Sequence, residues 1–236
     1  MKPRPKQGSS RQPLRATAAV QVPPPRGMKE FEPLIFVVDN DQTVRTSLAD
    51  LLAREAYTVE IFASATDYLE RVPHAGPACL VLEAQLPGFD GLALQRRLAE
   101  EGRMERIVFT TRHDDMRIGI EAMKRGAVDF LLKPFRDDEL LCAVAQALAR
   151  SAELVESRAR LAKLTPREFE VFRWLIAGLI SKEIGAEMGV KLRTIKEHRV
   201  RVMQKTGVVS VVELVRLALN AGVAPAQPGM AWRAIT

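Results

Sequence analysis

Leu34-Ile35-Phe36-Val37-Val38-Asp39-Asn40-Asp41 sets five apolar residues directly against three polar ones. An apolar run of this length is the pattern of a strand buried on both faces, as in a parallel sheet covered by helices on either side. The pattern recurs at Val59-Glu60-Ile61-Phe62, Cys79-Leu80-Val81-Leu82, Ile107-Val108-Phe109 and Val128-Asp129-Phe130-Leu131-Leu132. Between the runs lie amphipathic stretches such as Val44-Leu48-Leu51-Leu52 and Leu92-Leu94-Leu98, which read as helices. Alternation of this kind predicts an α/β fold with a doubly wound five-stranded parallel sheet over residues 31–149. The functional site of such a sheet lies beyond the C-terminal ends of its strands.

Further along the chain the rhythm changes. The last helix of the α/β unit starts near Asp137-Asp138-Glu139, and residues 150–163 contain neither Gly nor Pro, so they read as a semi-rigid helical connector. Thr165-Pro166-Arg167-Glu168 is then a helix start, with Thr as N-cap, Pro in the first turn and Glu three residues after the cap. Helices are expected at 166–177, 181–188, 193–205 and 210–220, forming an all-α domain over 164–222 with a tail at 223–236. Gly189-Val190-Lys191-Leu192 is a turn short enough for a helix-turn-helix. Residues 1–30 are basic and proline-rich, without apolar periodicity, and are expected to be disordered. This segment either adds nonspecific attraction to a polyanion, is inert, or precedes a true translation start at Met28.

Charge divides with the domains. Residues 28–150 carry 15 basic and 21 acidic side chains, whereas residues 164–222 carry ten basic and six acidic. The second domain is thus the one suited to a polyanion. Residues 191–205 hold six cations against one acid, and Ile195, Val202 and Met203 fall on the opposite side from Arg193, Glu197, Val200, Arg201 and Gln204. A basic helix with an apolar back either lies in the major groove or is simply a solvated surface. No stretch approaches the apolar length of a membrane helix, and no signal peptide is apparent, so a cytoplasmic protein without a membrane partner is expected. Cys79 and Cys142 lack metal-ligand spacing and read as two buried thiols. Without a P-loop, a GxSxG motif or spaced histidines, enzymatic activity and a bound cofactor or metal are not expected.

Leu164-Thr165-Pro166-Arg167-Glu168, Ala177-Gly178-Leu179, Lys182-Glu183-Ile184, Arg193-Thr194-Ile195-Lys196-Glu197-His198-Arg199 and Ser210-Val211-Val212-Glu213-Leu214-Val215-Arg216 resemble, in order, the LuxR-type helix-turn-helix. The resemblance implies binding to double-stranded DNA. Lys196, Glu197 and Val200 would face bases, while Lys182, Thr194, Arg201 and Lys205 would contact phosphates. Arg193 belongs to the same DNA-binding face, and His198 reads as supporting packing or a backbone hydrogen bond. The last helix resembles the family's dimer contact, which implies a homodimer on paired half-sites.

The α/β domain resembles the CheY-like receiver of response regulators, and the two domains together resemble the NarL/FixJ class. The residues that carry this are Val37-Val38-Asp39-Asn40-Asp41, Leu86-Pro87-Gly88-Phe89-Asp90-Gly91, Thr110, Gly126-Ala127-Val128-Asp129-Phe130 and Lys133-Pro134-Phe135. Such receivers use an aspartate at the end of the third strand as phosphoryl acceptor. An acidic pair after the first strand helps hold a divalent cation, and a lysine and a hydroxyl hold the phosphoryl oxygens. Here the acceptor position is Glu83 and the second acid is Asn40, while Asp39, Thr110 and Lys133 remain. Asn40 lacks the charge that a hard cation demands. Glu83 is one methylene too long, and misplacement of about 1 Å costs on the order of 10²-fold in rate. Phosphorylation-independent action is therefore expected, with Glu83 either imitating a phosphorylated aspartate through Lys133 or Thr110, or surviving as a remnant. Phe130 stands at the aromatic switch position and reads equally as core. Met116, Ile120 and Met123 could line the neighbouring face. The alternatives are a conventional phosphorelay regulator with a displaced acceptor such as Asp90, and a receiver-like module sensing a small ligand, redox state or partner protein; a sensor kinase or another regulatory protein is the partner that the resemblance implies.

Overall fold

A computed structural model of the chain describes residues 32–103, 105–112 and 116–227. The N-terminal segment expected to be disordered, His113 and the end of the C-terminal tail lie outside them. The elements run β1 (Leu34–Val38), α1 (Gln42–Arg54), β2 (Thr58–Phe62), α2 (Ala65–Glu70), β3 (Ala78–Glu83), α3 (Gly91–Glu100), β4 (Arg106–Thr111), α4 (Met116–Lys124), β5 (Asp129–Leu132) and α5 (Asp137–Leu161). Four more helices follow: α6 (Pro166–Ile176), α7 (Ser181–Glu187), α8 (Leu192–Thr206) and α9 (Val211–Ala221).

All strand pairings are parallel and the sheet order is β2-β1-β3-β4-β5, the doubly wound arrangement expected from the apolar runs. Alternation along β1 explains why the run must be apolar throughout. Phe36 and Val38 face a core built with Tyr68, Leu94, Leu98 and Ala122 from α2, α3 and α4. Ile35 and Val37 face a second core built with Leu48, Leu52, Leu140 and Val144 from α1 and α5. The winding reverses between β1 and β3, so the ends of these two strands open a crevice, and it is there that Asp39 and Glu83 emerge.

Helix α5 is a single helix of 25 residues. Its first half packs on the sheet, Ser151 Oγ accepts from the Ala78 N–H at 2.9 Å, and its final Leu161 enters the core of the helical domain. That core gathers Val171, Phe172, Leu175, Ile184, Ile195, Val202, Leu214 and Leu217. The first residues of the C-terminal tail pack against this domain. Arg173 donates to the carbonyls of Ala224 and Pro225 at 3.1 and 3.2 Å, and Ala226 N–H returns a bond to Arg173 O at 3.1 Å. Cys79 is buried as expected, but Cys142 is exposed, because its phase on α5 turns it away from the sheet. Among the described residues no helix is long and apolar enough to cross a membrane.

Candidate receiver site and nucleic-acid interface

Four of the five strands of the central sheet each deliver one group to the crevice. Asp39 follows β1, Glu83 ends β3, Thr110 lies near the end of β4, and Lys133 follows β5. Asp39, Glu83 and Thr110 are all buried. Charges removed from water must be paired, and here one cation serves two anions. Lys133 Nζ donates to Asp39 Oδ2 at 2.5 Å and to Glu83 Oε2 at 2.6 Å. The remaining oxygens are held by backbone: Asp39 Oδ1 accepts from Asp41 N–H at 2.8 Å, and Glu83 Oε1 from Gln85 N–H at 3.1 Å. Of the two partners proposed for Glu83, the structure supplies Lys133; no described hydrogen bond joins Glu83 to Thr110.

Asp41 is the N-cap of α1, its Oδ1 accepting from the Thr43 and Val44 amides, and its Oδ2 accepts from Arg112 at 2.5 Å. The Arg112 guanidinium and the two amides hold the Asp41 carboxyl below the usual carboxylate range. Asn40 is exposed. These residues do not suit the divalent cation that the receiver resemblance implies. The second acid is a neutral amide, and the carboxylates nearby already accept from nitrogen donors. Among the described residues no three His, Cys, Asp or Glu side chains converge as a metal site.

Asp90 sits apart from this cluster. It is the exposed N-cap of α3, accepting from Leu92 N–H at 2.6 Å. Phe130 is half-buried, its ring tilted against Phe109 at 6.4 Å and lying over Gly119 of α4, where a Cβ would come within 3.2 Å of it. Ile120 and Met123 are roughly half exposed and, with Leu132, leave apolar surface beside α4 and β5. Ile120 and Met123 thus lie on an open face.

In the second domain α8 turns Ile195 and Val202 inward and leaves Arg193, Lys196, Glu197, Val200 and Arg201 exposed, with Lys182 exposed on α7 and Thr194 partly buried. Arg193 and Glu197 pair along the helix at 3.2 Å. His198 Nδ1 is buried without a hydrogen-bond partner. Lys205, expected as a phosphate contact, is also engaged within the domain. Its ammonium donates to Glu168 Oε2 at 2.6 Å, and Glu168 is buried while also accepting from Thr165 N–H at 2.9 Å. Lys205, followed by the Thr165 amide, pushes the Glu168 carboxyl down to about 2. Sequence reasoning recognised Glu168 only as a helix cap and missed Arg112 altogether, since neither partner lies within a local motif.

Residues 35–145 match the receiver domain of response regulators, and residues 162–218 match the luxR family of bacterial regulatory proteins. Transcriptional regulatory protein FixJ of Bradyrhizobium diazoefficiens is 39% identical over 195 residues, a match spanning 80% of this chain and 95% of that relative. Response regulator protein TmoT of Ectopseudomonas mendocina is 34% identical over 197 residues, spanning 80% and 90%. The solved structure of response regulator StyR is similar with a TM-score of 0.52 at 38% identity, covering 80% of this chain and 99% of that one. With a parallel-sheet receiver joined to a helix-turn-helix, the chain belongs to the NarL/FixJ-type response regulators, the DNA-binding transcription regulators of two-component systems.

Proposed function

We propose that this regulator binds double-stranded DNA as a homodimer without needing aspartyl phosphorylation, Glu83 acting as a resident negative charge in the receiver. The observation that carries the reading is the 2.6 Å contact from Lys133 Nζ to Glu83 Oε2. The lysine suited to a phosphoryl oxygen is thereby engaged by a side chain of β3 itself. Both Glu83 oxygens are occupied, one by Lys133 and one by Gln85 N–H, which leaves neither aimed at an incoming phosphoryl group. Asp90 is a poor displaced acceptor, since its carboxylate caps α3 and no described hydrogen bond links it to Lys133. The input then comes from a regulatory protein or ligand, or from a sensor kinase acting through contact alone.

On the DNA side, Lys182, Thr194 and Arg201 serve as phosphate contacts. Lys196, Glu197 and Val200 face the bases, with Arg193 beside them. The exposed Val200 suits a thymine methyl, and Glu197 suits the amine of cytosine.

The test compares the parent with Glu83→Gln on duplexes selected by the parent from random sequence, with no phosphodonor and at several salt concentrations. A resident activating charge predicts a loss of roughly 5-fold or more in affinity, the range of ordinary coupling between sites. Equal binding makes Glu83 a remnant. An acyl phosphate trapped on Asp90 and located by mass mapping overturns phosphorylation-independence.

A further inference from the structure

The receiver pocket contains a second cation that the family's chemistry does not require. Arg112, two residues beyond Thr110, donates to Asp41 Oδ2 at 2.5 Å and so ties the end of β4 to the start of α1 across the crevice. Its charge also acts on Asp39 and Glu83.

The consequence appears when the oxygens are followed one by one. Asp39 Oδ2 and Glu83 Oε2 accept from Lys133, and Asp39 Oδ1 and Glu83 Oε1 accept from backbone amides. Asp41 Oδ1 accepts from the Thr43 and Val44 amides, and Asp41 Oδ2 from Arg112. Every carboxylate oxygen of the cluster already has a nitrogen donor, and two of those donors carry full positive charge.

We propose that Arg112 stands in the electrostatic place of a divalent cation, so that the pocket excludes Mg²⁺ and is held together by protein charges alone. Mg²⁺ demands near-ideal octahedral oxygen ligands and gives up its waters reluctantly. To enter here it must share these carboxylates with the guanidinium at Asp41 and the ammonium at Asp39 and Glu83, and both resident cations repel it. Asn40 withholds the one carboxylate that could offset that repulsion. The side chain of Arg112 is itself largely exposed, so it can be replaced without opening the core. The inference rests on reading this pocket as one that works without phosphoryl chemistry.

The experiment is isothermal titration of MgCl₂ into the full-length parent, Asn40→Asp, and Asn40→Asp/Arg112→Ala, with thermal melts of each. The parent is expected to show no saturable binding. Asn40→Asp should bind weakly, and removing Arg112 from it should tighten binding at least tenfold. Arg112→Gln, which keeps the side-chain length, should give the same gain if the alanine variant melts abnormally. Saturable Mg²⁺ binding by the parent overturns the proposal. So does equal Mg²⁺ affinity with and without Arg112, or no binding by either double variant. The DNA comparison of parent and Glu83→Gln is read independently, so that one proposal can fail while the other stands.

Discussion

Two lysine–glutamate pairs of identical length, one in each domain, have opposite electrostatic characters. Lys133–Glu83 and Lys205–Glu168 both close at 2.6 Å, and both glutamates are buried and accept a backbone amide as well. The difference lies in the second anion. Lys133 also serves Asp39, so one ammonium is shared between two carboxylates, whereas Lys205 has Glu168 as its carboxylate partner. The helical-domain pair is locally balanced and joins the start of α6 to the end of α8. The receiver pair carries excess negative charge at its centre, while Arg112 at the rim is paired with a third carboxylate, Asp41. A balanced buried pair is structural. A crowded one leaves net negative charge buried in the receiver.

The largest effect should come from breaking the balanced pair. Lys205→Met leaves the Glu168 carboxylate buried without its cation, a change that costs on the order of 3 kcal/mol. A guanidinium titration followed by Trp174 fluorescence should show it as a lower midpoint. If Lys205 were instead a phosphate contact, the variant would leave the midpoint alone and reduce the slope of DNA affinity against salt by about one. Lys182→Ala and Arg201→Ala are expected to do the latter.

The same pair sets an acid limit. Glu168 is displaced from an ordinary value of 4.5 to about 2, chiefly by Lys205. A depressed carboxyl stabilises the fold fully above its unfolded value, and that stability is lost as pH falls through the folded one. The helical domain of the parent should therefore lose stability progressively from about pH 4.5 toward pH 2, and Lys205→Met should flatten that slope. A parallel fall in both proteins would dissociate the acid response from this pair.

An effect of about 1 kcal/mol is expected at α7, now as a gain. Thr165 and Ser210 cap α6 and α9 through their hydroxyls, but the N-cap of α7 is the exposed Ile180, which has no acceptor. Ile180→Ser supplies one, and caps of this kind stabilise by about 1 kcal/mol. A rise in melting temperature checks it; no change would mean that Glu183, accepting from Ile180 N–H at 2.8 Å, already fixes this end.

What the sequence could reveal follows the range of the interactions. β1, β3 and β4 were legible because both faces of the central sheet are covered, which forces uninterrupted apolar runs. The helical domain was legible because its punctuation is local: Pro166 within a capping box, and left-handed Gly178, Gly189 and Gly207 at helix ends. Lys205 was one of six cations on a basic stretch, and its partner lies 37 positions earlier, beyond any helical period. Arg112 meets Asp41 across 71 positions and belongs to no motif. Ile120 and Met123 have a spacing that fits a core face and an open face equally well, so only the packing could decide between them. The tail over residues 223–226 carries no periodic signal because Arg173 holds it largely through backbone carbonyls.

The smallest expected effect on stability is also the sharpest test of the contrast between the two pairs. Glu83→Gln removes one of two carboxylates that share a lysine. Lys133 keeps its 2.5 Å bond to Asp39, and the amide oxygen of glutamine can still accept from Gln85 N–H. The attraction lost to Lys133 is offset by relief of repulsion from Asp39, so stability should change by less than about 1 kcal/mol, far below the cost of breaking a balanced buried pair. Chemical denaturation of the receiver measures this directly. A loss as large as that of Lys205→Met would mean that Glu83 is as structural as Glu168. A small change in stability beside a clear loss of DNA affinity would place the charge of Glu83 in regulation, because a group that contributes little to the fold yet changes binding at a distant helix must act on the balance between states.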